Sequence, residues 1–302
     1  MKDYTREDVR HAYLIFLGRE PENEKAVDDH CRSHKSLSEL LYAFWSSDEF
    51  KTKRLSEIKA SQKSIRTNSL SLHETATGKY FLPTDAHQDG IANTIIKGGI
   101  FDTPIYEIAK QYIKHGTTVL DVGSNFGQMA VLFSKLVGDQ GVVHAFEADD
   151  FVFHILEKNI FINNCFNIKA HFGAVHNVSG ATLCFPVQDF ERFGTYGSYG
   201  IDYKNTTQGG RQVKTMAIDD FEFELPISFM KVDVQGGDLF VLRGAVKTIE
   251  KYRMPIIFEY EYLFEDELSL NFQEYVDFVQ SINYRFEKVI LGQNYLIVPN
   301  PR

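Results

Sequence analysis

The stretch Thr118-Val119-Leu120-Asp121-Val122-Gly123-Ser124-Asn125-Phe126-Gly127 decides the fold. Thr118 to Val122 is an almost unbroken apolar and β-branched run, the composition of a strand buried on both faces, and it stops at Gly123. Gln128 to Val137 then reads as an apolar helix, so Gly123 and Gly127 lie in a strand-to-helix turn. In a doubly wound sheet this is where ligands bind. Working outward, Gly141 to Phe146 is the next strand and Phe151 to Asn164 the next helix; Ile168 to Val175 is a third strand. Ser228 to Asp233 is a fourth strand, followed by a helix from Asp238 to Glu250, a fifth strand from Pro255 to Glu259 and a helix from Phe272 to Ile282. Strands alternating with helices mean crossover connections and a parallel sheet. The chain closes on Tyr284 to Ile290, the turn Leu291-Gly292-Gln293, and Tyr295 to Val298, a hairpin that a purely parallel sheet excludes. The fold expected is α/β: a Rossmann-like sheet of seven strands, the last antiparallel, preceded by a small all-α module.

The glycine turn also restricts the ligand. A dinucleotide fingerprint needs G-x-G-x-x-G. Here Asp121 stands at the first glycine position and the next two glycines are four residues apart. A carboxylate there repels a pyrophosphate and attracts a cation. S-adenosylmethionine meets that requirement, with a sulfonium, an ammonium, a ribose and an adenine but no phosphate. Gly123 and Gly127 let the backbone approach it, and the helix start favours its carboxylate. Glu147, at the end of the second strand, stands where an acidic residue bonds ribose hydroxyls.

The first 60 residues carry only helical signals. Thr5 with Asp8 and Ser36 with Glu39 read as capping boxes, Gly18 as a stop, Pro21 as the opening of the next segment, and Ser47-Asp48-Glu49-Phe50 as a short final helix. Residues 56–79 are rich in Lys, Ser, Thr and Asn and poor in large apolar residues, the composition of a linker or a long exposed helix end. The division expected is a helical module over 1–58, a linker and lead-in over 59–96, and the sheet domain over 97–302. A net charge of −9 without a basic patch makes nucleic acid a poor partner. Three cysteines, Cys31, Cys165 and Cys184, with no C-x-x-C pair exclude a disulfide scaffold or a cysteine-rich zinc site. His30 and His34 lie one helical turn apart without further ligands at zinc spacing, and Asp219 and Asp220 would point to opposite faces of a strand, so no metal is assigned. The charged N-terminus is not a signal peptide, and no apolar run reaches the length of a membrane span. The expected location is the cytoplasm.

Four segments together resemble the FkbM-type S-adenosylmethionine-dependent methyltransferases. They are Val119 to Gly127 (V-L-D-x-G-A-N-x-G in the family), Ala145-Phe146-Glu147-Ala148 (A-F-E-P), Met216 to Phe221, and Lys231 to Asp238 with Val241 to Ala245 (K-x-D-V-E-G-x-E-x-x-V-L-x-G-A). The resemblance spans about residues 97–262 and implies S-adenosylmethionine as cofactor, with Asp121, Gly123, Asn125, Gly127, Glu147 and Asp102 on its side of the site. Gln235 and Asp238 stand where the family has glutamates, and Ala148 replaces a proline. Gln235 keeps hydrogen-bonding reach but holds no charge. Residues 5–50 are similar to a helical domain attached to bacterial glycosyltransferases and sugar methyltransferases, through Leu17-Gly18-Arg19-Glu20-Pro21 and Ser47-Asp48-Glu49-Phe50.

On the acceptor side the candidates are Asp233, ending the fourth strand, and Glu259, ending the fifth. Each is either a group that acts on a hydroxyl acceptor or a carboxylate satisfied locally, Asp233 by Lys231. Asp102 is either a cofactor-side acid or a helix N-cap. His176 follows the third strand as a base without a committed role. The Gly- and aromatic-rich segment 185–212 either covers the acceptor site or forms an ordinary strand pair. The expected reaction is methyl transfer to an oxygen, a sugar hydroxyl of a surface polysaccharide or glycoconjugate. Glycan-biosynthesis proteins are the expected partners of the helical module. The alternatives are a small secondary metabolite as acceptor and a non-catalytic scaffold.

Overall fold

The computed structural model describes residues 2, 4–17, 19–50, 70–84, 86, 89–185, 196, 211–264 and 268–301. The chain divides into two compact units, Met1–Arg66 and Thr67–Arg302.

The first unit holds helices Arg6–Ala12, Glu24–Ser33 and Leu37–Ser46, the first running on into a π-helical turn, Tyr13–Leu17. Val9, Ala12, Tyr13, Val27, Leu40 and Phe44 form its core. Thr5 and Asp8 make a reciprocal capping box. Asn23, not Pro21, caps the second helix. Ser36 accepts from Glu39 N, but Glu39 turns back one residue further, to Lys35 N, so only half of that expected box forms. The two halves of the sequence pattern meet in one ion pair: Arg19 forks onto both carboxylate oxygens of Glu49 at 2.7 and 2.8 Å.

The second unit opens with an antiparallel hairpin, β1 (Leu70–Glu74) and β2 (Lys79–Pro83). This departs from the linker that the polar composition suggests, because Tyr80 and Leu82 carry the hairpin into the core. Asn159 and Asn163 hold it from the helix Asp150–Ile162 side, Asn159 through Phe81 N and O and Asn163 through Lys79 N and O. Helices Gly90–Ile96 and Thr103–Tyr112 follow.

The remaining strands are β3 (Thr118–Val122), β4 (Val142–Glu147), β5 (Ile168–Phe172), β6 (Ala174–Val175), β7 (Thr182–Phe185), β8 (Arg211–Met216), β9 (Ile227–Val232), β10 (Ile256–Glu259), β11 (Tyr284–Ile290) and β12 (Asn294–Pro299). Seven of them form one sheet in the order β11-β12-β10-β9-β3-β4-β5. The five from β10 to β5 are parallel, and β12 enters antiparallel between β11 and β10. β6, β7 and β8 make a separate three-stranded sheet, so the expected strand Ile168 to Val175 is two strands in two sheets. The expected helix from Asp238 to Glu250 is also two, Asp238–Arg243 and Val246–Tyr252, broken at Gly244. Asp219 and Asp220 lie in a 3-10 turn, Ile218–Asp220, and not in a strand; Asp219 accepts from Lys247 N and Thr248 N at the start of the second of those helices.

Alternation along the strands sends Val119, Val143, Phe229 and Ile257 to one core, and Leu120, Phe146, Met230 and Phe258 to the other. From β3 the chain builds to one side through β4 and β5, then returns to the other side through β9 and β10. The crevice between β3 and β9 is therefore the topological switch point, where open α/β sheets bind ligands. Cys31, Cys165 and Cys184 are unbridged. Among the described residues no helix is long and apolar enough to cross a membrane, and no group of three potential metal ligands occurs.

Candidate active site

The glycine turn is built by close approach. Gly123 has φ +82°, and a Cβ there would stand 1.8 Å from the carbonyl oxygen of Asp233. Gly127 has φ +86°, and a Cβ would meet Leu156 at 2.5 Å. No L side chain fits either place. Asn125 between them is also left-handed, φ 50°. Its Oδ1 accepts from Phe126 N at 2.7 Å, the local bonding that lets asparagine take this conformation.

Glu147 closes the turn from β4. Its Oε2 accepts from Asn125 N at 2.9 Å and its Oε1 from Asp149 N at 2.8 Å. Burial raises its pKa to about 7, and these backbone donors pull against that. Each oxygen takes one donor here and keeps a lone pair for another.

Asp121 is fully buried, and neither carboxylate oxygen has a hydrogen-bond partner. The Ser124 hydroxyl goes to the Asp121 backbone carbonyl instead, at 2.8 Å. Burial raises Asp121 to about 6, while the charge of Lys231 opposes the rise. The sheet register explains that pairing: Asp121 on β3 lies directly across from Lys231 on β9, on the same face. Asp121 is wholly covered, so a ligand above the turn would meet its charge and not its oxygens.

Lys231 is the buried centre of the site. Its ammonium donates to Asp233 Oδ2 at 3.0 Å and to Gly123 O at 3.5 Å. Burial works to lower its pKa, but the charges of Asp233, Asp121 and Asp102 outweigh that and raise it. Burial likewise works to raise Asp233, and Lys231 reverses the sign, holding Asp233 below its ordinary value. Three carboxylates thus share one ammonium, which leaves this floor net negative. Asp102 takes the N-cap position of the helix Thr103–Tyr112 at φ 55°, but its side chain makes no capping bond, contrary to the simple N-cap reading. Burial raises its carboxyl, and Lys231 opposes. Gln128 fixes the preceding loop by bonding Gly99 O at 2.8 Å and Phe101 N at 2.9 Å.

Gln235, left-handed at φ 57°, bridges the two acceptor-side candidates. Its amide donates to Asp233 Oδ1 at 3.1 Å and to Glu259 Oε2 at 3.4 Å. Gln293, at the turn into β12, donates to Glu259 Oε1 at 2.7 Å. Burial, then Asp233 and Glu261, push Glu259 up to about 9. Asp238 lies below, accepting from Glu259 N at 2.9 Å and Val234 N at 3.2 Å and so tying the ends of β9 and β10 together.

The structure thus brings Asp102, Asp121 and Asp233 around Lys231, joins Asp233 to Glu259, and puts Glu147 on the other flank of the turn. Lys231 enters the sequence reading only as a local partner for Asp233, Gln293 only as a turn residue, and Glu261 not at all. Alternation places Lys231 on the face of Asp233, a signal that was present, whereas Gln293 is 34 residues from Glu259 and nothing local marks it. His176 stacks on Phe240 with ring centroids 4.6 Å apart, and burial lowers its pKa. Of the aromatics in 185–212, Phe190, Phe193, Tyr199 and Tyr203 lie outside the described residues. Tyr196 is buried, with its N–H on Asp89 Oδ2 at 2.6 Å and its ring near Phe126 and Phe151.

The residues present fit S-adenosylmethionine. The orphaned Asp121 oxygens leave a negative field under the turn, the glycines leave room for a ligand against the backbone, and Glu147 keeps acceptor capacity for hydroxyls. The chain is similar in fold to the methyltransferase FkbM of Methylobacillus flagellatus KT, at 13% identity over 92% of this chain and 71% of that one, TM-score 0.40. It is also similar to a SAM-dependent methyltransferase of Aquifex aeolicus (16% identity, 65% and 89% covered, TM-score 0.37). A third similar structure is Aeropyrum pernix fibrillarin with natively bound S-adenosyl-L-methionine (13% identity, 77% and 83% covered, TM-score 0.35). No curated protein matches the chain in sequence. The family model described as the Methyltransferase FkbM domain matches residues 121–286, more than half of the chain, from the buried Asp121 to the hairpin beyond Glu259, and the chain belongs to that family of S-adenosylmethionine-dependent methyltransferases.

Proposed function

We propose that this methyltransferase acts on oxygen, a sugar hydroxyl of a surface polysaccharide or glycoconjugate, in the cytoplasm. The observation that carries the reading is the bridge Asp233–Gln235–Glu259 at the carboxyl ends of β9 and β10, beside the glycine turn. Carboxylate and amide groups are the partners a polyol uses, since a hydroxyl donates and accepts. The sugar assignment is supported by the pattern in the helical unit around Arg19 and Glu49.

S-adenosylmethionine supplies an electrophilic methyl group when bound. Glu147 accepts from ribose hydroxyls, and Gly123 and Gly127 admit the ligand against the backbone. Asp233, kept ionised by Lys231, accepts a hydrogen bond from the acceptor hydroxyl and orients it. Holding both reactants in line is the main contribution such a site makes. Gln235 is suited to the bridge where a glutamate is not, because its amide donates to two carboxyl groups at once.

Calorimetric titration of S-adenosylhomocysteine tests the cofactor half. Binding in the micromolar range, about −8 kcal/mol, that is lost in Glu147→Ala is expected. Label from tritiated S-adenosylmethionine should then appear on hexoses or 6-deoxyhexoses; a protein that binds the cofactor product yet labels none of them contradicts the sugar reading.

A further inference from the structure

The acids at the ends of β9 and β10 differ in what their oxygens already hold. Asp233 has Lys231 on one oxygen and Gln235 on the other. Glu259 has Gln235 and Gln293. Asp238 has two backbone N–H groups and is fully buried beneath. Glu261, two residues past Glu259, is the exception: its Oε2 is buried and has no hydrogen-bond partner among the described residues. Its backbone carbonyl accepts from Phe264 N at 3.1 Å, which fixes the turn that carries it. A buried acceptor without a donor is costly, and it persists where a ligand supplies the donor.

Resting on the oxygen-acceptor reading above, we infer that Glu261 is the group that takes the proton of the acceptor hydroxyl during methyl transfer. The acceptor O–H bond breaks and its proton passes to the carboxylate of Glu261, a residue that, unlike Asp121, is only part-buried. The oxygen's electron pair forms the new bond to the methyl carbon, and the electrons of the broken C–S bond stay on the sulfur of the leaving S-adenosylhomocysteine. Asp233 and Glu259 have different parts. Asp233, held low by Lys231, is a weak base that orients the hydroxyl. Glu259 is pushed up to about 9 and stays protonated near neutral pH, with both oxygens already accepting from Gln235 and Gln293, so it is not free to take a proton. Glu261 is raised to about 7 by burial and by the charge of Asp233, where a general base works best. Among the described residues, the charged and titratable groups facing it are Asp233, itself paired with Lys231 on β9, and Glu259 on β10.

The test uses the full chain as wild type and as Glu261→Gln, a substitution of nearly equal shape. S-adenosylhomocysteine affinity is measured first, then label transfer from tritiated S-adenosylmethionine to hexoses, 6-deoxyhexoses and their methyl glycosides from pH 5.5 to 9. The expected result is unchanged S-adenosylhomocysteine affinity and a kcat lower by about 10²–10³. In the wild type kcat/KM falls as the pH drops below about 7; that acid limb is absent from the residual activity of the variant. Wild-type kcat with the acid limb intact in Glu261→Gln overturns the inference. Should Glu261→Gln fail to fold, Glu261→Asp, which keeps a carboxylate drawn back by one methylene, must retain the limb with a lower kcat; an unaltered kcat overturns the inference equally. A wild type that binds S-adenosylhomocysteine and labels no sugar overturns the oxygen-acceptor reading, and this inference with it.

Discussion

The two flanks of the candidate site are made in different ways. On the flank of the glycine turn, Glu147 is held by backbone N–H groups of Asn125 and Asp149, and Asp121 chiefly by the charge of Lys231. On the flank of β9 and β10, side chain bonds side chain: Lys231 to Asp233, Gln235 to Asp233 and Glu259, Gln293 to Glu259. Backbone donors are present whatever the side chains are, so the first flank needs only the turn and one acid. A side-chain network needs every member, and loss of one strands the others in a low-dielectric place. The comparison teaches that a flank built on backbone donors tolerates exchange of its side chains, while one built on side-chain bonds does not.

Lys231 joins the flanks, and its removal is the sharpest way to break the comparison. Lys231→Met leaves Asp233 and Asp121 buried without their cation, which should cost about 3–5 kcal/mol in urea unfolding at pH 8. The loss should shrink toward pH 5, as the stranded carboxyls take up protons. An equal loss at both pH values would show that packing, not charge, is what Lys231 supplies.

Gly123→Ala comes next. It forces a left-handed alanine against Asp233 O and should lower the stability of the sheet unit by about 3 kcal/mol, from backbone conformation and overpacking together. Gly98 has a positive φ but open space around it, so Gly98→Ala should cost clearly less.

Glu147→Gln against Asp121→Asn sharpens the turn flank. If Glu147 meets the ribose hydroxyls as proposed, its loss should weaken S-adenosylhomocysteine by about 10–100-fold, one charged hydrogen bond's worth. Asp121 acts only by charge through its cover, and its loss should weaken binding less. The reverse order in calorimetry would show that the turn opens to expose Asp121.

The wild type's own pH dependence follows from the raised carboxyls. Glu147, Asp238 and Glu259 have native values near 7, 7 and 9. Between their unfolded values, near 4, and these native values, the folded protein binds more protons than the unfolded one, so stability falls as the pH rises. Asp233 has the opposite sign, but its window lies below pH 4; His144, His171 and His176, lowered by burial, also have the opposite sign and oppose the carboxyls up to about pH 6.5. Urea midpoints should therefore decline from pH 7 to pH 8, where the imidazoles are neutral in both states and Glu259 still titrates. The smallest effect is expected away from the site: Asn23→Ala removes the cap on Ala26 N and should cost about 1 kcal/mol, with S-adenosylhomocysteine affinity unchanged.

Much of this was legible in the sequence because it is local. The strand-turn-helix around Gly123, the acid ending β4, and the closing hairpin each lie within a short window whose periodicity and turn chemistry speak for themselves. The hairpin over residues 70–83 was missed because polar residues surround its two core side chains, Tyr80 and Leu82, and their anchors Asn159 and Asn163 lie about 80 residues away. The place of Asp102 before Thr103-Pro104 allows either a helix cap or a cofactor-side acid; only the fold shows that its side chain makes no capping bond.

The sequence by itself determined the α/β class, the antiparallel last strand, the family and the ligand-binding turn, since these depend on residues near one another along the chain. The tertiary structure alone decided the sheet order and with it the side-chain network at the ends of β9 and β10. Register laid Lys231 across from Asp121, and the entry of β12 between β11 and β10 carried Gln293 to Glu259. Strand pairing is settled by the joint burial of both sheet faces, which no single window of sequence contains.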